Sequence, residues 1–136
     1  MKKITMNFIN MLFLIFGMCF VLIACQKVKY QSGRDTIVSF GDGTYQILQV
    51  PISPAQSGSK PTYVYSLYNL NSDSEIEDNV IEYLQIKQNV YTVGEKGYTV
   101  LNYETGEITQ EKVLKDIPEK YKEIFNKENT FTKLRK

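Results

Sequence analysis

The 136-residue chain has no histidine and no tryptophan, and its two cysteines, Cys19 and Cys25, both fall within the first 25 residues. Without an imidazole there is no Ser-His or Cys-His nucleophile, no histidine general base and no imidazole ligand for zinc. A glycine-rich phosphate loop of the Walker or dinucleotide kind is also missing. Charge of one sign is lacking too: 16 Lys and Arg face 15 Asp and Glu, a formal net charge of +1. A nucleic-acid partner would want a clear basic excess to meet its phosphates, so none is expected. The chemistry left is that of carboxylate pairs, as in glycoside hydrolysis, or of a Ser-Lys arrangement. Because the acids gather in turns and on polar faces, where solvation accounts for them, the reading is non-enzymatic, with no catalytic residue, metal site or cofactor.

What is present begins at the amino terminus. Lys2 and Lys3 precede an apolar run in which every residue from Met11 to Ala24 is apolar or glycine. As a helix that run covers about 21 Å, short of a bilayer core of about 30 Å. A basic start, a short apolar stretch and a small residue before a break make the pattern of an export signal rather than of a permanent span.

The run ends in Leu22-Ile23-Ala24-Cys25. This tetrad resembles the lipobox of bacterial lipoproteins: a branched apolar residue, a tolerant position, a small residue and then cysteine. All four positions match, and the likeness covers residues 1–25 only. Membership of that class implies a diacylglycerol, a palmitate-type lipid, on the Cys25 sulfur and cleavage just before it. It also implies location on the extracytoplasmic face of the cell membrane. Cleavage there leaves 112 residues, with 14 basic against 15 acidic side chains and every methionine removed. The mature chain then has one cysteine, which carries lipid, so no disulfide is expected even though export would permit one.

Residues 25–34 are polar around Ser32-Gly33 and read as a flexible tether, with a reach of about 17 Å by the square-root rule for such linkers. Residues 35–136 read as a single domain. Thr36-Ile37-Val38-Ser39-Phe40 and the run from Thr44 to Val50 flank Gly41-Asp42-Gly43, which predicts a hairpin with Asp42 as a turn residue rather than a catalytic acid. Three prolines mark residues 51–61 as a loop. Alternation from Thr62 to Tyr68 predicts a third strand, with Tyr63, Tyr65 and Leu67 on one face.

Ser74 followed three residues later by Glu77 forms a capping-box pattern, and Ile76, Val80, Ile81 and Leu84 follow at helical spacing. An amphipathic helix is therefore expected over residues 75–86. Asn71, Asp73, Glu75 and Glu82 reproduce the 1-3-5-12 spacing of a calcium loop, but Ile76 stands where such a loop needs glycine, so the pattern is taken as capping plus a solvated acidic face. Residues 90–113, with Gly94, Gly97 and Gly106 marking two short turns, predict a three-stranded antiparallel meander. That stretch resembles one blade of a β-propeller, although no second copy is found along the sequence. A short helix is expected near Pro118, followed by an edge strand at Thr130-Phe131-Thr132-Lys133-Leu134.

The expectation is thus a small α+β domain: an antiparallel sheet of about five to seven strands, one amphipathic helix and a short C-terminal helix. All ten tyrosines lie beyond the apolar run. Most suit sheet packing, while Tyr63 and Tyr65 are the candidate interaction surface, since tyrosine is enriched where proteins meet partners. The function expected is a lipid-anchored interaction or shielding module at the cell envelope, held to the membrane through Cys25 and meeting an envelope protein. The alternatives are a small-ligand or ion-binding lipoprotein and a carboxylate-dependent cell-wall hydrolase.

Overall fold

The computed structural model describes residues 29–52, 62–127 and 130–134. The tetrad expected to be a lipobox and residues 53–61 of the proline-marked loop lie outside them. Among the described residues no helix is long and apolar enough to cross a membrane.

Among the described residues, nine antiparallel strands form two sheets. The first sheet is a four-stranded meander of β1 (Thr36–Phe40), β2 (Tyr45–Pro51), β3 (Tyr63–Asn69) and β4 (Ser74–Glu77). The second continues with β5 (Glu82–Ile86), β6 (Asn89–Gly94), β7 (Gly97–Asn102) and β8 (Ile108–Glu111), and β9 (Thr132–Lys133) pairs with the free edge of β5. A 3-10 turn at Leu114–Asp116 leads to the helix α1 (Glu119–Phe125), whose N-cap is Pro118 with no side-chain cap. The described residues form a small, β-rich antiparallel domain with one short helix.

The helix expected over residues 75–86 does not form; the segment supplies β4, a bend and β5. Three local interactions decide this against the helical spacing. The Asn69 side-chain oxygen accepts the N–H groups of Asn71 (2.9 Å) and Ser72 (3.3 Å), which closes a tight turn and sends the chain back along β3. Ser74 shares a hydrogen bond with Ser72 (2.6 Å) instead of capping a helix. Asn79 adopts φ 48°, a left-handed conformation that no helix interior tolerates. The apolar residues then serve two strands: Ile76 and Val80 enter the core between the sheets while Leu84 faces the helix layer. The expected single sheet is correspondingly two.

The meander over β6 to β8 forms as expected, with Gly94 paired to Gly97 across a two-residue turn. A second copy does exist, in space. Each half of the domain contains a four-stranded meander, and the turns of their third hairpins match residue for residue. Asn102 accepts the N–H groups of Glu104 (3.0 Å) and Thr105 (3.1 Å) as Asn69 does those of Asn71 and Ser72. Asp73 and Gly106 occupy the equivalent left-handed position, at φ 48° and 76°.

Two cores separate three layers. The first, shared by the sheets, holds Phe40, Tyr45, Ile47, Leu67, Ile76, Val80, Val90 and Leu101. The second lies between the far face of the second sheet and α1 and holds Tyr91, Val100, Ile117, Phe125 and Phe131. Strand alternation explains the division, since Val90 and Leu101 point one way and their neighbours Tyr91 and Val100 the other.

Candidate functional site

The expected interaction residues fall on β3, opposite the end of β2, where Tyr63 pairs with Pro51 and Tyr65 with Gln49. Tyr65 packs against the inter-sheet core, and Tyr63 is 36% exposed. Of the calcium-like set, Asn71 and Asp73 lie in the β3–β4 turn, Glu75 in β4 and Glu82 in β5. Among the described residues no group of three or more metal-ligating side chains could hold an ion.

Two other places concentrate polar chemistry. One is internal. Glu77 has no exposed surface, and its carboxylate accepts hydrogen bonds from the Lys96 backbone N–H (2.8 Å), the Thr99 hydroxyl (2.6 Å) and the Gln110 side-chain amide (3.1 Å). The register explains how an acid on a short edge strand came to point inward. Leu67 pairs with Glu77 and Tyr68 with Glu75, so Ile76 is an extra residue that bulges β4 and turns Glu77 onto the core face. In the second repeat, Gln110 pairs with Thr99 without a bulge. Gly94 makes room, because a Cβ there would come within 2.7 Å of a Glu77 carboxylate oxygen and 2.6 Å of the Asp78 carbonyl. Every acceptor interaction here joins the first sheet to the second, so the group holds the fold together.

The other place is a cleft of about 520 Å³ at one end of the sheets. Three turns and the incoming chain line it: Gly41, Asp42 and Thr44 between β1 and β2, Asn71 between β3 and β4, Tyr103 to Gly106 between β7 and β8, and Lys29. Two of these turns are the matched tips of the two repeats. Lys29 is fixed at both ends, its backbone N–H donating to the Asp42 carbonyl (2.7 Å) and its ammonium to the Asn71 side-chain oxygen (2.6 Å). Tyr30 N–H donates to the same Asp42 carbonyl (3.1 Å), and farther along Ser32 and Ser39 share a hydrogen bond of 2.7 Å. The tether residues from Lys29 onward thus lie along the first sheet.

Asp42 sits at the cleft rim. The Thr44 hydroxyl and backbone N–H, the latter at 2.9 Å, together with the Lys29 charge hold its carboxyl below the ordinary 3.8, against a weaker opposing effect of burial. The acid is therefore ionised at neutral pH. Tyr45 and Tyr103 give the cleft its aromatic surface. A Cβ at Gly41 would lie 2.8 Å from the Tyr103 ring and one at Gly106 would lie 2.9 Å from the Tyr45 hydroxyl, so side chains there would crowd both rings.

Gly43 couples the incoming chain to this site. Its φ is +87°, and a Cβ would overlap the Tyr30 carbonyl oxygen. Gly43→Ala is expected to cost about 1–3 kcal/mol and to lift residues 29 and 30 from the turn. Hydrogen exchange would show it as faster exchange at the Lys29 and Tyr30 amides; unchanged protection there would contradict the docking.

Neither the cleft nor the Glu77 group was visible as a site in the sequence. The paired signals Asn69-Leu70-Asn71 and Asn102-Tyr103-Glu104, each ending a strand, are the trace that could have located the two tips. Comparison with known protein families, curated proteins and solved structures gives no match to this chain.

Proposed function

We propose that this chain is a lipid-anchored extracytoplasmic protein that acts as a non-enzymatic interaction or shielding module at the cell envelope. The observation that carries the reading is the tetrad Leu22-Ile23-Ala24-Cys25 behind a basic start and a short apolar run, followed almost at once by a docked domain. Only Gln26, Lys27 and Val28 separate Cys25 from Lys29, four Cα steps that reach about 14 Å at most. A lipid on Cys25 would hold the cleft end of the domain close to the headgroups. Its partner is then an envelope component.

The cleft favours a second form of the same reading, a small-ligand-binding lipoprotein.

The test is Cys25→Ala in the native host. The parent chain is expected in the membrane fraction with a lipid label incorporated, and the variant is expected unlabelled and either released or retained at precursor size. A variant that fractionates with membranes at mature size would end the lipid-anchor reading.

A further inference from the structure

The charge and hydrogen-bonding character of the cleft narrow what it can hold. The lining holds two acids, Asp42 and Glu104, and one base, Lys29, whose ammonium Asn71 already engages. That balance repels phosphates, carboxylates and other anions. A purely apolar ligand would desolvate these groups without replacing their hydrogen bonds. What the lining offers instead is a mixture of acceptors (Asp42, Glu104), an amide (Asn71) and hydroxyls that both donate and accept (Thr44, Tyr45, Thr105). Beside them stand two tyrosine rings, with glycines where side chains would crowd those rings.

Vicinal hydroxyls on a ring with an apolar C–H face match both halves of that lining, since each hydroxyl can donate to a carboxylate and accept from an amide or ammonium. The volume lies inside the range of about 300–1,000 Å³ typical of ligand sites. The cleft is open, with room for a ring that belongs to a longer chain. We infer that the cleft between the β1–β2, β3–β4 and β7–β8 turns binds an uncharged saccharide, a ring of an envelope glycan, gripped by Asn71, Asp42 and Glu104 and packed on Tyr103. This deepens the binding-module reading and rests on it for the source of the glycan.

The experiment is calorimetry on the full chain in detergent micelles, which needs no lipid on Cys25, so its failure and that of the anchor test are separate events. The probes are maltotriose and tri-N-acetylchitotriose, with tri-galacturonic acid as the anionic comparator. At least one neutral trisaccharide is expected to bind below about 10 mM, and the anionic one at least about tenfold more weakly. Asn71→Ala and Glu104→Gln, both at exposed turn positions, should each weaken binding by about tenfold or more while the melting temperature stays at the parent value. Absence of heat with both neutral sugars would overturn the inference. So would equal affinity for the anionic one, or binding that survives both substitutions unchanged.

Discussion

Replacing Glu77 with alanine is expected to remove about 3 kcal/mol of folding stability and to lower the melting temperature by roughly 12–24 °C, at about 4–8 °C per kcal/mol for a domain of this size. The size follows from what the substitution leaves behind. The Lys96 N–H, the Thr99 hydroxyl and the Gln110 amide all donate to this one carboxylate inside the fold. An unsatisfied buried donor costs about 1–3 kcal/mol, and only part of that is recovered by relaxation or by an entering water. Gln110 has other acceptors in the Thr99 hydroxyl (2.8 Å) and the Ile76 carbonyl (3.1 Å), which tempers the loss.

Glu77→Gln separates hydrogen bonding from charge. Its amide oxygen can still accept from Lys96, but its NH₂ meets the Gln110 NH₂, and two donors cannot satisfy each other. An intermediate loss is expected. Thermal and urea melts followed by circular dichroism measure both variants. A Glu77→Ala protein within 1 kcal/mol of the parent, an amount set by the spread of ordinary surface substitutions, would sink the account of this group as the tie between sheets.

How much of this was legible in the sequence divides along physical lines. Strands β1, β2, β3, β6, β7 and β8 were readable because each alternates or is β-branched and ends at a glycine or asparagine turn. α1 was readable from Pro118 and the spacing of Tyr121, Ile124 and Phe125. The pair β4 and β5 was not, because two strands joined through a bend at Asp78-Asn79 happen to place Ile76, Val80, Ile81 and Leu84 at intervals a helix would also give. The misreading hid the duplication as well, since a helix at residues 75–86 breaks the first repeat before its fourth strand.

The candidate cleft was illegible for a different reason. Lys29, Asp42, Asn71 and Glu104 are brought together by the packing of one repeat on the other, and no spacing rule relates them. Glu77 depended on a one-residue bulge at Ile76, which reverses the alternation from which burial is inferred. The converse holds for the proposed lipobox: it is a reading of sequence, and the fold adds only that Lys29 is docked a few residues beyond it.

The two repeats also stack in one direction. Leu67 of β3 faces the shared core while its equivalent in β7, Val100, faces α1, so the sheets meet through unlike faces and each could in principle be followed by another. Stacked repeats need their terminal faces covered. On the second sheet α1 and the segment after it supply that cover. On the far face of the first sheet, Gln46 is satisfied by Thr36 (2.7 Å) and the Gly43 carbonyl (3.0 Å), and Ser66 by Asp78 (3.1 Å). The second sheet's end of the stack is thus closed by an aromatic layer, whereas Gln46 and Ser66 on the first sheet's outer face are satisfied by local hydrogen bonds.

That difference makes Phe125→Ala the second large effect: a loss of about 3–5 kcal/mol, the usual range for deleting a buried phenylalanine. Phe125 is the centre of the outer core. Its ring meets Tyr91 at 5.6 Å and Tyr98 at 5.2 Å, both edge-on, and stacks with Phe131 at 5.8 Å. A helix of seven residues is far below the length of about 12–15 at which helices become marginally stable alone, so α1 exists because Phe125 fastens it to the sheet. Releasing it also loosens the connection through Phe131 to β9, which closes the edge of β5 through Tyr83 and Glu82. The expected signature is therefore regional as well as global: faster hydrogen exchange across residues 114–134, while the Lys29 and Tyr30 amides at the cleft remain protected up to the global unfolding limit. Ile124→Ala, at a partly buried neighbour, should cost clearly less. A loss shared equally between the helix segment and the cleft at conditions well below the melting transition would show that the layers do not divide as the two cores imply, and a total loss under 1 kcal/mol would show that the outer core is not needed to hold α1 in place.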